Sequence, residues 1–324
     1  MCSWRRTVSV PACIVLACLA FSSALAQGPR KAALIPQWEP QAQFAGYYVA
    51  LAKGFYEKRG IDMTILRGGP SRPPSRLLAD GEAAFGTMFL ATAVLERSRG
   101  LDLVNLAQFM RGSTLMIVAR AGVASPQGLA GRRVSLWGRE FSLQPEAFFR
   151  KYGMNVVRLP QGHGVDLFLR GGVDAVCAMY YNEYHTLLNS GLEPDELALF
   201  PMRDHGFDYP EDGLYALEGT CRADPGLCRD VAEASLEGWR YAFEHQDEAL
   251  DLVMARVDEA RLPTNRMHQK WMLARLREAM APRGGAEGPG KLARDEFEKV
   301  AAALKQAGLL DKPVTYEEFS AFPR

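Results

Sequence analysis

The chain has 324 residues, 48% of them hydrophobic, and its 38 basic side chains balance 38 acidic ones. A nucleic-acid binder needs clustered excess positive charge to displace counterions, and no basic run beyond pairs such as Arg132-Arg133 is present. Past the N-terminal region no stretch is apolar for long enough to span a bilayer, so the mature protein is expected to be soluble.

The chain opens with Arg5 and Arg6, then an apolar stretch, then Ala24-Leu25-Ala26, which is the charged, apolar and small-residue order of an export signal. Cleavage is expected after Ala26. A membrane anchor is disfavoured because the apolar stretch is short and contains Pro11; lipid attachment at Cys18 ranks behind cleavage, since it would leave Leu19 to Leu25 exposed. Removing residues 1 to 26 takes two arginines and no acid, so the mature chain becomes slightly acidic. It also takes three of the six cysteines, leaving Cys177, Cys221 and Cys228. Cys221 and Cys228 bracket the turn-forming RADPGL and could close as a disulfide in an oxidising compartment. Cys177, inside the apolar run DAVCAMYY, reads as a buried small hydrophobe before it reads as a nucleophile. His163, His185 and His205 are isolated, and none pairs with a cysteine at metal-ligand spacing.

From Lys31 to about Phe200 short apolar runs alternate with amphipathic stretches, which predicts an α/β fold with mixed, mostly parallel sheets. LADGEAA at 78 to 84 and LRGGVDA at 169 to 175 both end a helix on glycine and enter a strand, the repeat expected of two similar α/β lobes. After Cys221 the pattern turns helical: consecutive helices from Cys228 to Met280, broken at Pro263-Thr264, then an exposed link at 282 to 290 and a helix from Lys291 to Ala307.

Ligands of open α/β sheets bind beyond the carboxyl ends of strands. Four such places stand out. After KAALIP comes Trp38, an indole in a loop between polar neighbours, where a flat ligand would account for it; Gln43 and Tyr47 follow as hydrogen-bonding groups, while Phe44, Leu51 and Phe55 belong to the core. Thr87 follows Gly86 after the strand AAF and offers a hydroxyl. Trp137 ends RRVSLW as the possible second face of an aromatic clamp. Finally DAVCAM runs into Tyr180, Tyr181 and Glu183, where the carboxylate could accept two hydrogen bonds from an aminopyrimidine edge, or Asn182 could simply cap a helix. Glu211 and Asp212 add carboxylates before the strand LYALEG.

These blocks resemble the periplasmic binding proteins related to the fungal thiamine-pyrimidine synthase, especially the pyrimidine-precursor binders of thiamine salvage. The similarity is carried by QWEPQAQFAGYYVALAKGFYEKRGIDMTI, GGP at 68 to 70, LADGEAAFG, GSTLMIVAR at 112 to 120, YYNEYH at 180 to 185 and PEDGLY at 210 to 215. AKGFYEKRGI alone recurs across binders of nitrate, sulfonates and other solutes. The resemblance implies a two-lobed, type II periplasmic fold joined by a two-strand hinge, with residues 30 to 118 plus 212 to 324 in lobe I, 119 to 211 in lobe II, and a helical C-terminal tail. It further implies a small aromatic ligand held for the permease and ATPase subunits of an ABC importer, and the chain is expected to be a monomer without cofactor or metal. An enzyme is the rival, but where the synthase presents its cofactor lysine and, four residues on, a histidine, this chain has Met88 and Thr92, and DYPEDGLYAL contains no cysteine. Without an amine nucleophile Schiff-base chemistry has no start. Riboflavin or an aromatic acid is a second rival; an acid would call for a cationic anchor such as Arg111 or Arg139.

Overall fold

The computed structural model describes residues 1–2, 28–281 and 290–322. The expected export segment, with the Cys18 alternative, and most of the 282 to 290 link lie outside them. Among the described residues no helix is long and apolar enough to cross a membrane.

Ten strands follow one another among the described residues: β1 (Arg30–Ile35), β2 (Ile61–Ile65), β3 (Phe85–Phe89), β4 (Leu103–Gln108), β5 (Leu115–Arg120), β6 (Arg133–Leu136), β7 (Val157–Pro160), β8 (Ala175–Met179), β9 (Leu197–Pro201) and β10 (Asp212–Leu217). They form two five-stranded sheets, ordered β2-β1-β3-β10-β4 and β7-β6-β8-β5-β9. The parallel pairs are those of β1 with β2 and β3 and of β6 with β7 and β8, and the antiparallel pairs are those of β10 in the first sheet and β5 in the second. Those two strands are the ones the chain enters after passing between sheets, through residues 109 to 114 and 202 to 211. The passages are therefore the irregular segments that precede GSTLMIVAR's strand and EDGLYALEG's strand, and the strands themselves belong to the sheets.

The sequence echo has a structural counterpart. Gly81 and Gly171 both take the left-handed conformation, at φ 73° and 72°. They close the turns that lead into β3 and β8, which hold the same third place in their respective sheets. A residue with a Cβ would be strained there.

Helices Pro225–Glu244, Gln246–Glu259, Arg266–Ala279 and Arg294–Gln306 make up the C-terminal region. Asp224 caps the first by accepting from the Leu227 amide, with Pro225 at the first helical position, and Asn265, one residue past the expected break, caps the third through the His268 amide. Helix Ala45–Ala52 is buried against Pro225–Glu244, so this region packs on the first sheet. Cys221 and Cys228 are joined as a disulfide, with Cα atoms 5.6 Å apart, at the start of it. Cys177 is fully buried in β8, and that burial pushes its thiol well above the ordinary range.

Candidate functional site

The segment after β1 is pinned at both ends. The Gln37 amide donates to Thr87 Oγ1 (2.9 Å) in β3, and the Ala42 amide donates to Gln269 Oε1 (2.7 Å) in helix Arg266–Ala279. Gly68 closes over the same segment: a Cβ there would collide with the carbonyl oxygens of Pro36 and Trp38, which explains GGP as a requirement of backbone approach. So fixed, the segment turns Gln37, Trp38, Gln41 and Gln43 toward a cavity that also receives Phe89 from β3. The opposite wall comes from the second sheet: Trp137 and Phe141 after β6, then Met179 at the end of β8 and Tyr181, Asn182 and Glu183 after it. The space between these walls is about 310 Å³ when the adjoining open solvent is included, and only about 20 Å³ of it is open to the centre of a water-sized sphere.

Its walls are aromatic and its polar groups are chained. Trp38 meets Phe141 at 5.4 Å and Trp137 at 6.3 Å between ring centroids, both edge-on, and His163 lies 5.8 Å away. The two tryptophans thus touch across the cleft at 69° between planes and do not form the parallel clamp expected of them. Trp137 is oriented by its indole N–H, which donates to the Gly162 carbonyl (3.1 Å). Along the floor, Asn182 Nδ2 faces Gln41 Oε1 (3.4 Å), Gln41 Nε2 donates to Gln43 Oε1 (2.6 Å), and Gln43 Nε2 donates to Asp212 Oδ2 (2.8 Å). Gln37 Nε2 donates to the same carboxylate (2.6 Å).

Glu183 is 3% exposed and is the one carboxylate on the cavity wall among the described residues. It accepts from the Met179 amide (3.0 Å) and from Asn182 Nδ2 (2.8 Å), which leaves part of its acceptor capacity for a ligand. Burial pushes its carboxyl up to about 7, against the opposing pull of the Met179 amide. Among the described side chains the wall contains no lysine, arginine or histidine.

Of the expected ligand residues, the structure brings Trp38, Gln43, Trp137, Tyr181 and Glu183 together around this cavity. Four others stand elsewhere. Thr87 lies inside β3 with its hydroxyl occupied by the Gln37 amide, so it holds the loop and does not face the cavity. Tyr47 sits in the core, edge-on to Phe109 (5.8 Å) and Trp239 (6.2 Å). Tyr180 stacks on Tyr184 (5.6 Å) and approaches Trp271 (6.2 Å) of helix Arg266–Ala279. Glu211 is fully buried between the two passages, accepting from Ser113 Oγ, Thr114 Oγ1 and the amides of Thr114 and Leu115 at 2.7 to 3.1 Å. It staples one passage to the other; burial, outweighing those bonds, pushes it up to about 7, as it does Asp212. Sequence reasoning missed Gln37, Gln41, Phe89, Phe141 and Met179 as cavity residues, and gave Asn182 a capping role. The helix it precedes has no side-chain cap bond; the Asn182 amide is spent on Glu183, Gln41 and His268. The glutamine spacing at 37, 41 and 43 around Trp38 was the available signal. Arg111, a considered anchor for an acid, is buried away from the cavity against Glu296 (2.9 Å).

A formylaminopyrimidine-binding protein of Halalkalibacterium halodurans is 27% identical over 297 residues, covering 87% of this chain and 86% of that protein. A riboflavin-binding protein of Chloroflexus aurantiacus is 25% identical over 299 residues, covering 86% and 81%. Among solved structures, the periplasmic aliphatic sulphonate binding protein of Escherichia coli superposes with a TM-score of 0.66 at 14% identity, covering 90% of this chain and 97% of that one, so the two share a fold. The NMT1/THI5 like family profile matches residues 41–249, from Gln41 on the cavity floor through both sheets to the helices that back the first. With that match across more than half its length, the chain belongs to the NMT1/THI5 like family.

Proposed function

We propose that this chain is the extracytoplasmic solute-binding component of an ATP-driven importer, and that it captures a thiamine-related aminopyrimidine of the hydroxymethyl or formylamino type. Residues 30 to 118 with 212 to 324 act as one lobe and 119 to 211 as the other, exported after loss of residues 1 to 26. One observation supports the ligand above the others: a buried carboxylate, Glu183, faces an aromatic-walled cavity with no described cation on its wall. A carboxylate accepts two parallel hydrogen bonds from the amino group and ring N–H edge of a protonated aminopyrimidine, and charge-assisted bonds of this kind are about twice as strong as neutral ones. A sulfonate or nitrate placed there would meet the carboxylate with no counter-charge.

The wall also lacks the lysine amine that pyridoxal chemistry needs, and Met88 and Thr92 are buried outside it. Two tryptophans on the cavity make binding visible by fluorescence. Titration with 4-amino-5-hydroxymethyl-2-methylpyrimidine, its formylamino relative, riboflavin and taurine is expected to give saturable changes with the pyrimidines alone. Saturation with riboflavin or taurine and none with either pyrimidine would assign the protein a different ligand.

A further inference from the structure

We propose that His185, His268 and Asn182 form an acid-labile clasp that holds the two sheets' units shut over the cavity and positions Glu183 within it. The clasp rests on the proposed function only in reading these units as lobes that open and close. Helix Glu183–Asn189 follows β8 of the second sheet, and helix Arg266–Ala279 packs on the segment after β1 of the first. Between them Asn182 Oδ1 lies 2.7 Å from His268 Nε2, and His268 Nδ1 lies 3.0 Å from His185 Nδ1. His185 also stacks on Trp271 at 4.4 Å with 3° between planes, and on His268 at 5.1 Å. Since Asn182 Nδ2 is the group that touches Glu183, the carboxylate on the cavity wall is tied through one amide to a histidine pair bridging the cleft.

Proton counting limits the charge that the pair can hold. With Glu183 ionised, Asn182 must present Nδ2 to it and Oδ1 to His268; His268 then carries its proton on Nε2, and its bare Nδ1 accepts from His185. With Glu183 protonated the amide can turn and the relay can run the other way. Either direction places a single proton between the two Nδ1 atoms, with Asn189 Nδ2 a further 3.3 Å neighbour of His185 Nδ1. One further proton keeps that contact but makes the pair a cation, and a second sets N–H against N–H at 3.0 Å.

The surroundings give that proton no compensation. His268 is 8% exposed, and burial, reinforced by His185, holds it down at about 4; burial also lowers His185. Lys270 lines the recess beside His185 and Trp271, and the Arg275 guanidinium lies 4.8 Å over Trp271, so both nearby charges on this helix are positive. Glu39, Asp166 and His163 line the cleft that His268 opens on, with Glu39 bound by Arg67 (2.9 Å). Among the described residues neither imidazole has a carboxylate partner. A group depressed in the closed state and free in the open one binds fewer protons when closed, so closure is favoured above the free value and weakened below it.

The test compares the mature wild type with His268→Gln, which keeps a donor for Asn182, and with His185→Asn. Calorimetric titration with 4-amino-5-hydroxymethyl-2-methylpyrimidine at about pH 7.5 and about pH 5.5 should show the wild type losing about tenfold more affinity on acidification than either variant, taking about 6.5 for the free imidazole. Titration of Glu183 is common to all three proteins and cancels in that comparison. X-ray scattering of the ligand-free proteins should show the wild type expanding at the lower pH and His268→Gln unchanged. Equal pH dependence in the wild type and both variants, by binding and by scattering, would overturn the clasp. Failure of the pyrimidine to bind the wild type at the higher pH would instead remove the proposed ligand, and scattering alone would then decide the clasp.

Discussion

Glu183→Gln is expected to weaken aminopyrimidine binding by about 10- to 150-fold, because a hydrogen bond to a charged group contributes about 1.5–3 kcal/mol and each 1.4 kcal/mol is tenfold. Glutamine has nearly the shape of glutamate and can still accept from the Met179 amide, so the fold keeps its local bond. What is lost is the second acceptor and the charge. Since burial already opposes ionisation at this position, the neutral replacement should leave the thermal midpoint unchanged or raise it. Weak binding in a protein of undiminished stability is thus the signature expected of a ligand contact. Glu259→Gln, at an exposed helix end, should change affinity by less than about twofold. Equal and negligible losses in both variants would assign Glu183 a purely structural role.

Trp38→Ala should cost at least about 2 kcal/mol of binding, roughly thirtyfold, the range of buried aromatic anchors in binding sites. Two losses combine there. The indole is part of the cavity wall, and its edge contacts with Trp137 and Phe141 join residues of the first sheet's side to residues of the second. Trp38→Phe should recover part of the affinity, since a smaller ring still packs against Phe141. Calorimetry separates the variants; affinity within about twofold of the wild type for Trp38→Ala would remove the indole from the site.

Most of the fold was legible because its strands are short apolar runs between turns, a local property. Gly81 and Gly171 even marked the equivalent places of the two sheets, since both are forced by left-handed turns. The candidate site was legible only where one residue was out of place in its own neighbourhood. Trp38, a large indole among polar loop residues, and Glu183, a carboxylate among tyrosines, were of that kind, and both line the cavity. Thr87 and Tyr180 were misplaced for the opposite reason. Each stands at or near the carboxyl end of a strand, yet which loop crosses over it depends on topology: Gln37 covers Thr87 from 50 residues away, and Trp271 lies beside Tyr180. Glu211 was read as facing a ligand because the sequence could not show that both passages run side by side at that point. His185 looked isolated for the same reason, its partner His268 being 83 residues distant.

A crystal structure of the mature chain with 4-amino-5-hydroxymethyl-2-methylpyrimidine tests the central claim most directly. The expected result is a single pyrimidine ring in the cavity between Trp38 and Tyr181, its amino edge within hydrogen-bonding distance of Glu183 and both sheets' walls in contact with it. A ring seated outside this cavity, or inside it with Glu183 still bonded only to Met179 and Asn182, would contradict it.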